Sequence, residues 1–140
     1  MQRLRDVMTP SPATVRISDP AVQAAQLMRD EDVGSVPVMD EDTIAGIITD
    51  RDITIKVVAE GRDPQTATVG EYMARHLVTG RPDMSLREAA ELMGREQIRR
   101  LPVVDQGRLV GIISLGDLAL EHEQEEDVEE TLEEISQPSR

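Results

Sequence analysis

The sequence predicts a mixed α/β (α+β) fold in which one strand-helix-strand-strand-helix unit is used twice, followed by an acidic C-terminal tail. Three observations predict it. Slid against itself, the chain matches at one constant offset of 65 residues with no gap. Met8 meets Met73, Ala24-Ala25 meets Ala89-Ala90, Leu27-Met28 meets Leu92-Met93, and Pro37-Val38 meets Pro102-Val103. Asp40 meets Asp105, Gly46-Ile47-Ile48 meets Gly111-Ile112-Ile113, and Asp52 meets Asp117. Second, each copy carries an apolar stripe at helical spacing and two β-branched runs bounded by turn residues. Third, the chain has 140 residues, and modules of about 50 residues bury too little surface to be stable alone, so the two copies are expected to share a core. Self-similarity at a long period reads as one supersecondary unit repeated, each copy burying the other's open face.

Each copy opens with a short extended piece, "ATVRI" or "HLVTG". The helix that follows starts at Asp19-Pro20 in the first copy, with proline at the first helical position, and at a Ser85-x-x-Glu88 capping box in the second. Ala21, Ala24, Ala25 and Met28 fall on one helical face, and Leu86, Ala89, Ala90 and Met93 repeat that face. So small a stripe suits close helix packing within the pair or across a dimer, and suits ordinary core packing equally. "SVPVMD" and "TIAGIIT", joined by Asp40-Glu41-Asp42, read as a β-hairpin; "RLPVVD" and "RLVGIIS", joined across Gln106-Gly107, read as its counterpart. A closing helix follows in each, "DRDITIKVVAEG" with Gly61 as its stop, and "LGDLALEHEQ". The expected organisation is residues 1–61 as the first unit, 62–71 as a connection, 72–122 as the second unit, and 123–140 as an acidic tail, partly helical or disordered.

Composition narrows the function. The formal charge is -13, but residues 121–140 hold nine acids and one arginine, or -8, which leaves -5 for the rest. Nucleic-acid phosphates would be repelled, and one tyrosine without Phe or Trp gives no stacking platform, so nucleic acid is excluded as a partner. Apolar runs such as "LVGIIS" are too short to span a bilayer, and "MQRLRDVMTP" has no apolar export segment, so a cytoplasmic protein with no membrane partner is expected. The absence of cysteine removes thiolate chemistry and disulfides. Two histidines and no nucleophile beside a base leave no catalytic residues to name, so an enzyme is not expected. A structural or cleft-lining role suits His76 better than acid-base work. "EHE" at 121–123 reads as a solvated face, and no metal site is expected. In the tail, Val128, Leu132 and Ile135 fall on one side of a helix that either stays disordered or docks on this chain, a dimer mate or a basic partner.

The residues of most interest stand where a strand hands over to a helix: Thr49-x-x-Asp52 and Ser114-x-x-Asp117. Two readings fit. A hydroxyl followed three residues later by an acid can cap the helix. A carboxylate fixed at that junction can also accept two hydrogen bonds from a ribose diol, while the hydroxyl and free backbone N–H groups meet a phosphate.

Taken together, "VGSVPV", "IAGIITDRDI", "IRRLPV" and "LVGIISLGDL", following "VMTPSPATV" and "YMARHLVTG", resemble the cystathionine β-synthase (CBS) domain family from about Asp6 to Glu121. The resemblance implies two CBS motifs packed as one pseudo-symmetric CBS pair, or Bateman module, with two clefts between them, and it implies further pairing into a homodimer through the CBS helices. It also implies clefts that take AMP, ADP, ATP, NAD or S-adenosylmethionine. On that pattern Thr49, Asp52, Ser114 and Asp117 contact ribose and phosphate, and the segments around the Val-Pro and Leu-Pro pairs line the adenine pocket through Gly34, Val36, Pro37, Ile98, Leu101 and Pro102. With Tyr72 the sole aromatic, apolar side chains would sandwich the purine while backbone amides read its edge.

The copies differ at the phosphate end. The first has Asp50-Arg51 where the second has Leu115-Gly116, and the second has Arg99-Arg100 where the first has Gly34-Ser35. Arginine suits bidentate phosphate contacts, so Arg51, Arg99 and Arg100 join the candidates, with solvated ion pairs as the competing reading. The sites are expected to be inequivalent. No cofactor is required, an adenosine nucleotide being the expected bound molecule. The expected role is a sensor or regulatory module without a fused enzyme, channel or DNA-binding domain, acting on an unknown downstream protein or through its own oligomeric state. The competing reading is a ligand-free dimerisation or interaction module that keeps both motifs as helix caps.

Overall fold

A computed structural model describes residues 2–121. In chain order the elements are α1 (Leu4–Val7), β1 (Thr9–Pro10), β2 (Val15–Arg16), α2 (Ala21–Glu31), β3 (Ser35–Asp40), β4 (Thr43–Thr49), α3 (Asp50–Asp52) running into a π-helical segment (Ile53–Val58), α4 (Val69–Tyr72), α5 (Leu86–Glu96), β5 (Arg100–Asp105), β6 (Arg108–Ser114) and α6 (Leu115–Glu121). The mixed α/β fold and its two hairpins stand where the sequence puts them. The acidic tail at 123–140 and most of the "EHE" triplet lie outside the described residues.

The chain divides into two compact units, and the cut does not follow the repeat. Residues 13–77 form one unit; residues 2–12 join residues 78–121 to form the other. In the first-copy unit the sheet order is β2-β3-β4, with β2 parallel to β3 and β3 antiparallel to β4. In the second-copy unit the order is β1-β6-β5, all antiparallel. The segment in front of the first copy therefore packs with the second: β1 pairs with β6, and Leu4 of α1 is fully buried among Leu86, Leu101, Val103 and Ile113. In the first-copy unit α4 fills the corresponding place, with Val69 fully buried beside Val15, Val36 and Ile48.

The exchange draws on the segment expected to be a connection. Residues 62–71 hold few large apolar groups and are largely exposed, yet two of their side chains are buried: Ala67 is 7% exposed and Val69 0%. "HLVTG" makes no strand, only a single parallel bridge from Gly80 to Val103.

Helix α5 begins as expected: Ser85 Oγ accepts from the Glu88 N–H at 3.1 Å and Glu88 Oε1 accepts from the Ser85 N–H at 3.2 Å. Helix α2 starts one residue later than expected, with Pro20 as its cap and not as its first turn. The Asp19 carboxylate instead holds the preceding turn by accepting from the Arg16 N–H at 2.8 Å. Ala21, Ala24 and Met28 are buried on α2, and Leu86, Ala89, Ala90 and Met93 on α5, so both stripes are core faces. Each hairpin closes on a two-residue turn, Asp40 pairing Thr43 and Asp105 pairing Arg108. The Gln106-Gly107 turn has φ of 52° and 81°, the doubly left-handed geometry that matches strand twist. The first closing helix departs from expectation by winding as a π-helix, with the Ala59 N–H donating to the Thr54 carbonyl at 2.9 Å.

Two glycines let the exchanged segments lie against the hairpins. A Cβ at Gly46 would run into the backbone carbonyl of Ala74, whereas one at Gly111 would meet the side chain of Met8. Backbone pinned in the Ile47-Ala74 bridge cannot yield, but a thioether can rotate. Gly46→Ala is therefore expected to lower unfolding free energy by about 1–3 kcal/mol in urea titrations, and Gly111→Ala by clearly less.

Candidate functional site

Thr49 ends β4 and Ser114 ends β6, and the hairpin register sets Ser35 opposite Thr49 and Arg100 opposite Ser114. At that point the chain turns from strand to helix and is anchored across the hairpin: the Asp50 N–H donates to the Gly34 carbonyl at 2.9 Å, and the Leu115 N–H to the Arg99 carbonyl at 2.7 Å. In both copies the hydroxyl then caps the helix, Thr49 Oγ1 accepting from the Asp52 N–H at 3.0 Å and Ser114 Oγ from the Asp117 N–H at 3.1 Å. The structure brings together Thr49 with Asp52, and Ser114 with Asp117 and Arg100.

Beyond that shared cap the copies part. In the first, the capping box is complete, Asp52 Oδ2 accepting from the Thr49 N–H at 3.0 Å. Its other oxygen, Oδ1, lies 3.1 Å from Lys56 Nζ, and the Asp52 side chain is only 14% exposed. In the second, the Asp117 carboxylate accepts no hydrogen bond among the described residues, and the place equivalent to Lys56 is Glu121. Lys56 escaped the sequence reading, although Asp52 and Lys56 at i and i+4, acid before base, is the spacing that favours such a pair on a helix.

Arg100 is half-buried, and its Nε is closed from solvent without a hydrogen-bond partner among the described residues. Burial pushes the guanidinium pKa down from its ordinary value, while the charge of Asp117 pulls it up. Arg99 and Arg51 are exposed. In the first copy Asp50 lies over Gly34, where an added Cβ would stand 3.3 Å from its Oδ2. A carboxylate thus occupies that corner of the first copy, where the second offers Leu115 and two arginines.

The predicted adenine segments divide by strand face. Val36 (2% exposed) and Leu101 (0%) belong to the hydrophobic cores of their units, so their side chains are not available to a ligand. Pro37 and Pro102 alternate onto the opposite strand faces. Gly34 is exposed, and Ile98 packs partly buried at the edge of its core. Among the described residues no group of three or more His, Asp or Glu could hold a metal ion, and no helix is long and apolar enough to cross a membrane.

Comparison with known proteins gives the following. The family model for the CBS domain matches residues 4–59 and 69–122. The CBS domain-containing protein YhcV of Bacillus subtilis (strain 168) is 46% identical over 136 residues, covering 97% of this chain and 96% of its own. The crystal structure of Hypoxic Response Protein I with two coordinated zinc ions superposes with a TM-score of 0.78 at 38% identity, covering 85% of this chain and 98% of that one. The crystal structure of CBSX2 in complex with AMP superposes with a TM-score of 0.76 at 28% identity, covering 89% of this chain and 98% of that one.

The different wiring of the two aspartates has a consequence that needs no ligand. Asp52→Ala removes the Thr49 N–H acceptor and the Lys56 partner, and is expected to cost about 1 kcal/mol of stability. Asp117→Ala removes a carboxylate with no hydrogen bond among the described residues, and is expected to cost clearly less, as urea unfolding of the two variants will read.

Proposed function

Because the chain belongs to the CBS domain family, we propose that it is a regulatory module that binds an adenosine ligand, and that the second copy takes a charged nucleotide. The observation that carries this reading is the Asp117 carboxylate at the β6-α6 junction, unbonded among the described residues, with Arg100 set opposite Ser114 on the neighbouring strand. A vicinal diol offers two O–H donors to such a carboxylate. Arg100 and the exposed Arg99 then supply cations for phosphate, and a phosphate would give the orphaned Nε of Arg100 an acceptor. The complex of CBSX2 with AMP supports this ligand class.

Regulation follows from linkage. A ligand that binds one conformation of the CBS pair better than another shifts the population by its differential affinity and by nothing more. The output passes to a downstream protein or to a homodimer. Exposed apolar side chains on the closing helices suit such a dimer: Ile55 is 48% exposed, Val58 60% and Leu120 75%. Ile55 and Leu120 are repeat equivalents.

In the first copy a second reading has its own support. The complete Thr49-Asp52 capping box accounts for the motif there without any ligand.

Melting temperatures measured with AMP, ADP, ATP, NAD and S-adenosylmethionine test the proposal. A bound nucleotide at a hundred times its Kd stabilises by about 2.7 kcal/mol. The expected result is a concentration-dependent rise that Asp117→Ala abolishes. Arg100→Met is expected to weaken AMP and ATP more than adenosine. Absence of any shift with all five compounds would remove the reading.

A further inference from the structure

The ion pair between Asp52 and Lys56 has a role open to it beyond helix stability. The two copies repeat the hydroxyl, the aspartate and the cap in the same register, yet the residue four places after the aspartate is Lys56 in one and Glu121 in the other. Lys56 Nζ stands 3.1 Å from Asp52 Oδ1 and also donates to the Tyr72 carbonyl at 3.4 Å, so the ammonium is held from two sides. Tyr72 belongs to α4, the helix exchanged into this unit. With Oδ2 accepting from the Thr49 N–H, Oδ1 beside the ammonium and the side chain 14% exposed, each oxygen of the first-copy carboxylate already has a donor and little of it faces solvent.

We infer that Lys56 is an occupancy-determining latch: it keeps Asp52 from accepting a ribose diol, and so makes the second copy the working nucleotide site. This inference rests on the nucleotide reading above. A diol approaching Asp52 must displace the ammonium and leave it to find other partners, whereas one approaching Asp117 meets no salt-bridged cation among the described residues, only the more distant charge of Arg100. Glu121 cannot close Asp117 in the same way, because a second carboxylate repels the first. The neighbourhood reinforces the difference, since Asp50 lies over Gly34 and adds negative charge where a phosphate would come.

Equilibrium titration with AMP, read as molecules bound per chain, tests the latch on the full chain. Wild type is expected to bind one, and Lys56→Met to bind two at AMP concentrations that fill one site in wild type. The added site should vanish in Lys56→Met/Asp52→Ala and survive in Lys56→Met/Asp117→Ala. Lys56→Gln, which keeps a polar end without the charge, provides a second opening variant if the methionine disturbs folding by circular dichroism. Two equal sites in wild type, or a stoichiometry still at one in both Lys56 variants, would overturn the latch and leave the nucleotide reading standing. No AMP bound by wild type or by either variant would overturn both.

Discussion

Each hydrophobic core of this protein is closed by a short helix that the other repeat carries at its head, and the remaining structure depends on that exchange. Leu4 and Val69 are repeat equivalents, both fully buried, and each sits in the core it does not precede in sequence. The backbone contacts that seat them are equivalent too. The Leu4 N–H donates to the Met84 carbonyl at 2.9 Å and the Arg5 N–H to the Pro82 carbonyl at 3.0 Å. In the other unit the Val69 N–H donates to the Asp19 carbonyl at 2.8 Å and the Gly70 N–H to the Ile17 carbonyl at 2.9 Å. A four-residue helix has almost no stability of its own, because nucleation fixes several dihedrals for few hydrogen bonds. These two persist because each places one large apolar side chain in a core and finds backbone acceptors waiting for its first N–H groups.

On that shared scaffold the two strand-helix junctions have diverged in charge and not in shape. The hairpins keep one register and one bulge position, and the caps keep the same hydroxyl-to-amide bond. What changed are side chains that the scaffold does not need: Gly34 and Ser35 against Arg99 and Arg100, Asp50 against Leu115, Lys56 against Glu121. Duplication makes such divergence cheap in stability, because exposed and half-buried positions at a helix start tolerate most substitutions. The first junction became an internally paired cap. The second kept a carboxylate that accepts no hydrogen bond among the described residues, beside a half-buried guanidinium whose Nε has no acceptor there and which feels that carboxylate only through its charge.

Much of this was legible in the sequence because local chemistry decides it. The hairpins, the Ser85 capping box, the two apolar helix faces and the Thr49 and Ser114 caps all follow from patterns within about ten residues of each other. The exchange was not legible, since a constant offset of 65 looks the same whether a leading segment packs with its own copy or with the other. The π-helical winding of Ile53–Val58 was hidden for a related reason, as "ITIKVV" has the composition of any buried helix or strand. Among the site residues, that the Val36 and Leu101 side chains lie in the cores was not legible, because the strands around the Val-Pro and Leu-Pro pairs are buried on both faces, which removes the alternation that tells a core side chain from a pocket side chain.

The exchange also sets an order in which the protein can be made. Every element of the first-copy unit lies within residues 13–77, so its parts are all present once α4 has left the ribosome. Residues 2–12 are synthesised before the segment that begins at residue 78, with which they pack, and have no core to enter until that segment appears. Leu4, Val7 and Met8 therefore wait as exposed apolar groups while residues 13–77 are made, and a segment synthesised before that unit enters its core after it.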